Sequence, residues 1–255
     1  MKKSLLITLT LFQSLLLLGQ NIPQQFVSTD ITNFWAAFEK INATNDTLQQ
    51  VKYLQELYID KGSEGLKSLI EVRDYTPKEF LGWMTKYPNF WSSLKPNTLN
   101  CKDLYPEIEA DIQKLKGIYP DLKLVPIYFS IGAFRTPGTT HKNKVLIGSE
   151  FSLADQTTNI DEFPDWRKTF YIDYQPRKNI ALLCTHEYIH PQQKELVENL
   201  LSMCLYEGVA EFISCKATGK NSNSPAIEFG KANQEKVVKQ YVADLFLMSN
   251  NYNWL

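Results

Sequence analysis

The sequence predicts an α+β fold: a helical N-terminal region, a small mixed β-sheet, and two helices in the second half that carry the chain's chemistry. Three observations predict it. Apolar residues recur at helical spacing from Ile31 to about Tyr119, and β-branched and aromatic residues concentrate in two short runs between Leu122 and Gly148. Beyond Arg177 the pattern is helical again nearly to the end. The bulk numbers suit this. Of 255 residues, 44% are apolar and 13% aromatic, enough for one large domain or two small ones. A net charge of −1 argues against nucleic acid or an anionic membrane surface as the main partner.

The N-terminus stands apart from the rest. Lys2 and Lys3 precede a mostly apolar run from Leu5 to Leu18, and Gly19, Gln20 and Asn21 break it. That order predicts a secretory signal peptide over residues 1–20, with a retained anchor as the alternative. No cysteine follows the run, which argues against a lipid anchor, and no later stretch approaches the roughly 18 apolar residues of a membrane span. The expected mature protein is therefore exported, periplasmic or extracellular, with no stable span after cleavage. Cys101, Cys184, Cys204 and Cys215 show no CxxC spacing, and no bridge is assigned.

Residues 21–120 read as the helical region. Phe34, Trp35, Phe38 and Ile41 mark one helix, and Leu48, Val51, Leu54, Leu57 and Tyr58 a second. Thr76-Pro77 reads as an N-cap with proline at the first helical position, and Tyr105-Pro106-Glu107 opens a further helix. Pro88, Pro96 and Pro120 are expected to break helices. Residues 121–255 form the second region. Residues 122–129 predict a strand, 132–143 a Gly/Pro/Thr-rich loop, and 144–148 a second strand; residues 155–177 are expected to be irregular.

Two of the three histidines stand four apart in His186-Glu187-Tyr188-Ile189-His190. On a helix those positions share a face, so both imidazoles reach one ion, and Glu187 beside them is positioned to take a proton from water. Pro191 disfavours helical geometry at His190, so the helix should end there and the chain return on a second helix, expected over residues 195–216. That helix brings Glu207 and Glu211 onto one face with Leu200, Met203 and Cys204. Carboxylates in apolar surroundings are costly unless paired or bound to metal. A catalytic zinc site takes three protein ligands and leaves one position open. His186, His190 and Glu207 are assigned as ligands of one Zn2+, and Glu211 as the acceptor for a ligand's free N–H; the reverse order of the two glutamates stays open.

These residues carry a resemblance. HEYIH followed by EGVAEF resembles the gluzincin metallopeptidases, in which a glutamate on a following helix completes the HExxH motif. It is similar to the aminopeptidase-N-like enzymes, and closer still to a family of predicted zinc-dependent proteases catalogued mainly as a domain of unknown function. Gly138-Thr139-Thr140 and Leu146-Ile147-Gly148-Ser149-Glu150 also resemble that family, and the likeness spans roughly residues 122–219. The resemblance implies a zincin-like fold, an exported zinc peptidase acting on peptide or protein substrates, with Glu187 as general base. The strand at 144–149 is expected to lie along the cleft and bind an extended peptide through Ile147 and Gly148. The resemblance also implies a Tyr or His oxyanion donor well beyond Glu207. Tyr241, Tyr252 and His141 are available but stand in no recognisable context, so a shortened chain and a weakened enzyme both stay open. The alternative is a catalytically inactive exported protein of the same fold that binds a partner, since some bacterial gliding-motility lipoproteins are similar in this way.

Overall fold

A computed structural model describes residues 25–194, 196–222 and 224–248. The leader read at residues 1–20, Glu195 and Tyr252 lie outside these residues. The chain is α+β, with a small mixed sheet among many helices. It opens with a short strand, β1 (Phe26–Val27), and the helix α1 (Thr29–Asn42). The expected face of α1 is the buried one: Phe34, Trp35, Phe38 and Ile41 enter the core, where Phe34, Trp35 and Trp91 pack ring on ring. Helix α2 (Thr47–Leu54) continues through a π-helical turn, Gln55–Ile59, that buries Tyr58. Leu48 departs from its expected role: it follows the Asp46 cap and is 82% exposed.

Helices α3 (Glu64–Arg73) and α4 (Pro77–Lys86) follow. Thr76 caps α4 as expected, and Glu79 closes the reciprocal hydrogen bond to the Thr76 backbone. The helix breaks before Pro88 as expected, Pro88 then opening α5 (Pro88–Leu99), whereas Pro96 lies inside that helix. Ser92, whose carbonyl loses its donor to Pro96, faces solvent, so water can replace the bond while Phe90, Trp91 and Leu94 anchor the opposite face. Helix α6 (Tyr105–Ile118) ends just before Pro120.

The sheet is built from β1, β2 (Ile127–Ser130), β3 (Gly138–His141) and β4 (Lys144–Gly148), in the order β1-β2-β4-β3. The first three neighbours run parallel, and β3 pairs antiparallel with β4. Two expectations change here. Residues 122–126 are not strand, because side chains from elsewhere take their backbone donors: Tyr188 Oη accepts from Val125 N–H at 2.7 Å and Gln192 Oε1 from Lys123 N–H at 3.0 Å. The expected loop contains β3, joined to β4 by a two-residue turn with Lys142 in the left-handed region at φ 52°.

Beyond β4 come the short α7 (Ser149–Ser152) and α8 (Asp165–Tyr174). Helix α8 corrects the irregular reading of that stretch: Arg167 and Tyr171, one turn apart, are its buried face. Helix α9 (Ile180–Ile189) packs against both α6 and α10 (Leu200–Thr218), which also touch each other, and α11 (Pro225–Ala232) and α12 (Gln234–Asp244) lie outside the core. Among the described residues, no helix is long and apolar enough to cross a membrane.

Candidate metal centre

Helix α9 is buried on nearly every face. Ile180, Ala181, Cys184 and Tyr188 are fully enclosed, and the Tyr188 hydroxyl ties the helix to the segment before β2. The helix ends at Ile189, as Pro191 requires, and passes into a 3-10 turn, His190–Gln192. His190 itself keeps helical geometry at φ −55° and ψ −45°, contrary to the expectation from the following proline. Helix α10 starts at Leu200, later than its expected position. The Asn199 side chain accepts from Ser202 N–H at 2.9 Å, and the Leu200 and Leu201 amides donate to Leu247 and Leu245 carbonyls beyond α12.

The two helices bring His186, His190 and Glu207 together, with one ligand atom from each lying within 4.8 Å of the others. His186 Nε2 is 3.3 Å and His190 Nε2 3.6 Å from the same oxygen, Glu207 Oε2. A tetrahedral ion with bonds of about 2.0–2.1 Å needs ligand atoms about 3.3 Å apart, a spacing that the two edges at Glu207 approach, so the group could hold a metal ion. The glutamates are less enclosed than expected: the Glu207 side chain is 43% exposed. Such partial exposure suits a site with a free coordination position.

Both rings are held from behind. Glu211 Oε2 lies 2.9 Å from His186 Nδ1. Gln193 Oε1 lies 2.9 Å from His190 Nδ1, and Gln193 Nε2 donates to the Tyr206 carbonyl at 3.0 Å. That second bond fixes which end of the amide faces the ring, so His190 carries its proton on Nδ1 and turns the Nε2 lone pair toward Glu207. The Tyr206 ring stacks on His190 with centroids 4.2 Å apart. No spacing in the sequence distinguishes Gln193 or Tyr206.

The electrostatics of the cluster favour a positive charge on His186. Burial opposes charge on His186, but its hydrogen bonds to Glu207 and Glu211 outweigh this and raise its pKa to about 10. An imidazolium between two carboxylates thus supplies the positive charge there, and a metal ion would displace its proton. Burial pushes Glu187 up to about 7, with Glu207 adding to the shift and His186 and Arg73 opposing it. Gly138 of β3 lies directly over this carboxylate: a Cβ there would stand 2.8 Å from Glu187 Oε1.

The remaining expected residues lie elsewhere. Ile147 and Gly148 are on β4, which is paired on both edges, and Ile147 is fully buried. The backbone of Thr136 also closes over Gly148, where a Cβ would lie 2.1 Å from the Thr136 carbonyl oxygen. Strand addition at Ile147 and Gly148 is therefore excluded, and the edge of the sheet beside Glu187 belongs to β3. His141 ends β3 and faces Glu71 at 3.7 Å, while Tyr241 lies on α12 near Cys204. Tyr174, from the unexpected helix α8, lines the same cleft as His186 and Glu187. All four cysteines are free; Cys101 and Cys184 are buried and Cys204 and Cys215 partly so. No family model, curated protein or solved structure matches the chain.

Proposed function

We propose that the chain is an exported zinc-dependent peptidase of the gluzincin type, with His186, His190 and Glu207 as the metal ligands. The observation that carries this reading is the triangle of two imidazole nitrogens and one carboxylate oxygen, backed by Glu211 and Gln193. Two histidines and a glutamate form a donor set suited to catalytic zinc. Zinc held there supplies a Lewis acid for a carbonyl oxygen and for water.

The chain's own residues do the rest. Glu187 is enclosed beside the ligands, where its carboxylate is placed to exchange a proton with water. It accepts a proton from the attacking water and returns it to the leaving amine. The edge of β3, which lies against Glu187 through Gly138, is the surface on which an extended peptide would add as a strand. Export rests on the tripartite N-terminal run.

A second reading, an inactive metal-holding protein that binds a partner, draws on α10, where Leu205, Val209 and Phe212 form an exposed apolar stripe. Cleavage of a broad peptide library separates the two. The peptidase reading expects Glu187→Gln to keep its zinc and lose roughly 10²–10⁴-fold in rate. A wild-type chain that holds zinc and cleaves nothing supports the second reading.

A further inference from the structure

Beside the metal triangle lies a cleft of about 300 Å³. One wall is aromatic, formed by Phe170 and Tyr174 of α8, whose rings stack with centroids 4.9 Å apart. Leu182 and Leu183 of α9 face it, and His186 and Glu187 border the end nearest the ligands. Among the described residues, no lysine or arginine lines this cleft, and Glu211 adds a second carboxylate to its border. The aromatic wall continues outward. Trp166, Phe170 and Tyr174 stand at i, i+4 and i+8 on α8 and so share a face, and Trp166 is 68% exposed.

We infer that this cleft selects substrates by a large apolar side chain, aromatic or leucine-sized, next to the bond presented to Glu187. The inference rests on the peptidase reading for the bond that is cut, but the pocket's selectivity is a property of its walls alone. An apolar side chain replaces water against Phe170, Tyr174 and Leu183 and is favoured in proportion to the area it covers. A charged side chain of either sign gives up its hydration against Phe170, Tyr174, Leu182 and Leu183. Phe170 is the determinant best suited to a test. It packs on Phe151 at 5.2 Å and contributes to the pocket without touching the metal triangle.

The experiment has two arms. In the first, the zinc-loaded chain is given peptides that differ at one residue on either side of the cut bond: Phe, Leu, Ala, Asp or Lys. Phe and Leu peptides should exceed the Ala peptide in kcat/KM by roughly 10-fold or more, with Asp and Lys below Ala. In Phe170→Ala, and more mildly in Phe170→Leu, which preserves apolar packing on Phe151, the Phe-to-Ala ratio should fall several-fold. In the second arm, saturation-transfer NMR compares N-acetyl-phenylalaninamide with N-acetyl-aspartamide on the metal-free chain. The phenylalanine compound should bind in preference, and Phe170→Ala should weaken it. Peptides left uncut while the second arm succeeds would remove the peptidase reading and keep the pocket. Cutting without side-chain preference, a preference for Asp or Lys, or equal binding of the two amides would overturn the pocket.

Discussion

A histidine binds a metal through one nitrogen when the other holds a proton, and the Nδ1 of each ring here faces a different acceptor. His186 has the carboxylate of Glu211, and His190 has an amide, Gln193, whose direction is fixed by the Tyr206 carbonyl. Removing either support should leave the fold intact and loosen the metal. Gln193→Ala and Glu211→Gln are each expected to weaken zinc affinity by roughly 10–100-fold, measured by competition with a chelator. Unchanged affinity in Gln193→Ala would mean that its hydrogen bond does not orient the ring. A second residue-scale prediction concerns Glu150, which is fully buried and accepts hydrogen bonds from the Gly132 and Phe134 amides. Burial raises its carboxyl from 4.5 to about 7, although those amides pull the other way. Between these values the native chain keeps a proton that the unfolded chain has released, so this group's contribution to stability falls as pH rises from about 4.5 to about 7. The stability of Glu150→Gln relative to wild type should therefore improve by about 2–3 kcal/mol between pH 5 and pH 8, read from urea unfolding of the metal-free proteins. A difference that stays flat with pH would contradict the shift.

At the scale of elements, the site depends on how α10 is started. Asn199 supplies its cap, and the tail after α12 pairs with the next two amides, which sets the position of Glu207 two turns further on. Asn199→Ala should destabilise the metal-free protein by about 1 kcal/mol in urea unfolding. No change would mean that the α12 tail alone fixes the helix start. The HEYIH helix and the glutamate helix were legible because spacing along one helix is a local property, readable as i and i+4. Helix α4 was legible for the same reason, through its Thr76 cap. Neither the edge strand nor the ring supports were. Residues 138–141 are Gly-Thr-Thr-His, which read as loop, and they become a strand only by pairing with β4. Gln193 reaches His190 only because the chain turns after Pro191, and its amide is oriented by a carbonyl thirteen residues on. The α8 stripe is hidden for a different reason. Its three aromatics are spaced one turn apart, but the prolines and charges around them give the stretch the composition of a loop.

For the molecule as a whole, the metal triangle joins two helices with different anchors. Helix α9 is locked into the core, whereas α10 buries only Leu200, Ala210 and Ser214 completely. The far end of α10 is held to α6 by Lys220, which pairs with buried Asp111 at 2.8 Å and with Glu107 at 2.7 Å. An ion shared between α9 and α10 would therefore clamp the less enclosed helix onto the more enclosed one. A ligand that binds only the native state stabilises it by about 4 kcal/mol at a free concentration 1,000 times its Kd. The most direct test is the zinc content of the purified, dialysed chain, read by elemental analysis on wild type, His186→Ala, His190→Ala, Glu207→Ala and His141→Ala. One zinc per chain is expected in wild type and in His141→Ala, and loss of that zinc in the other three. A wild-type chain that takes up no zinc, or zinc retained equally in all four variants, would rule out the proposed metal site.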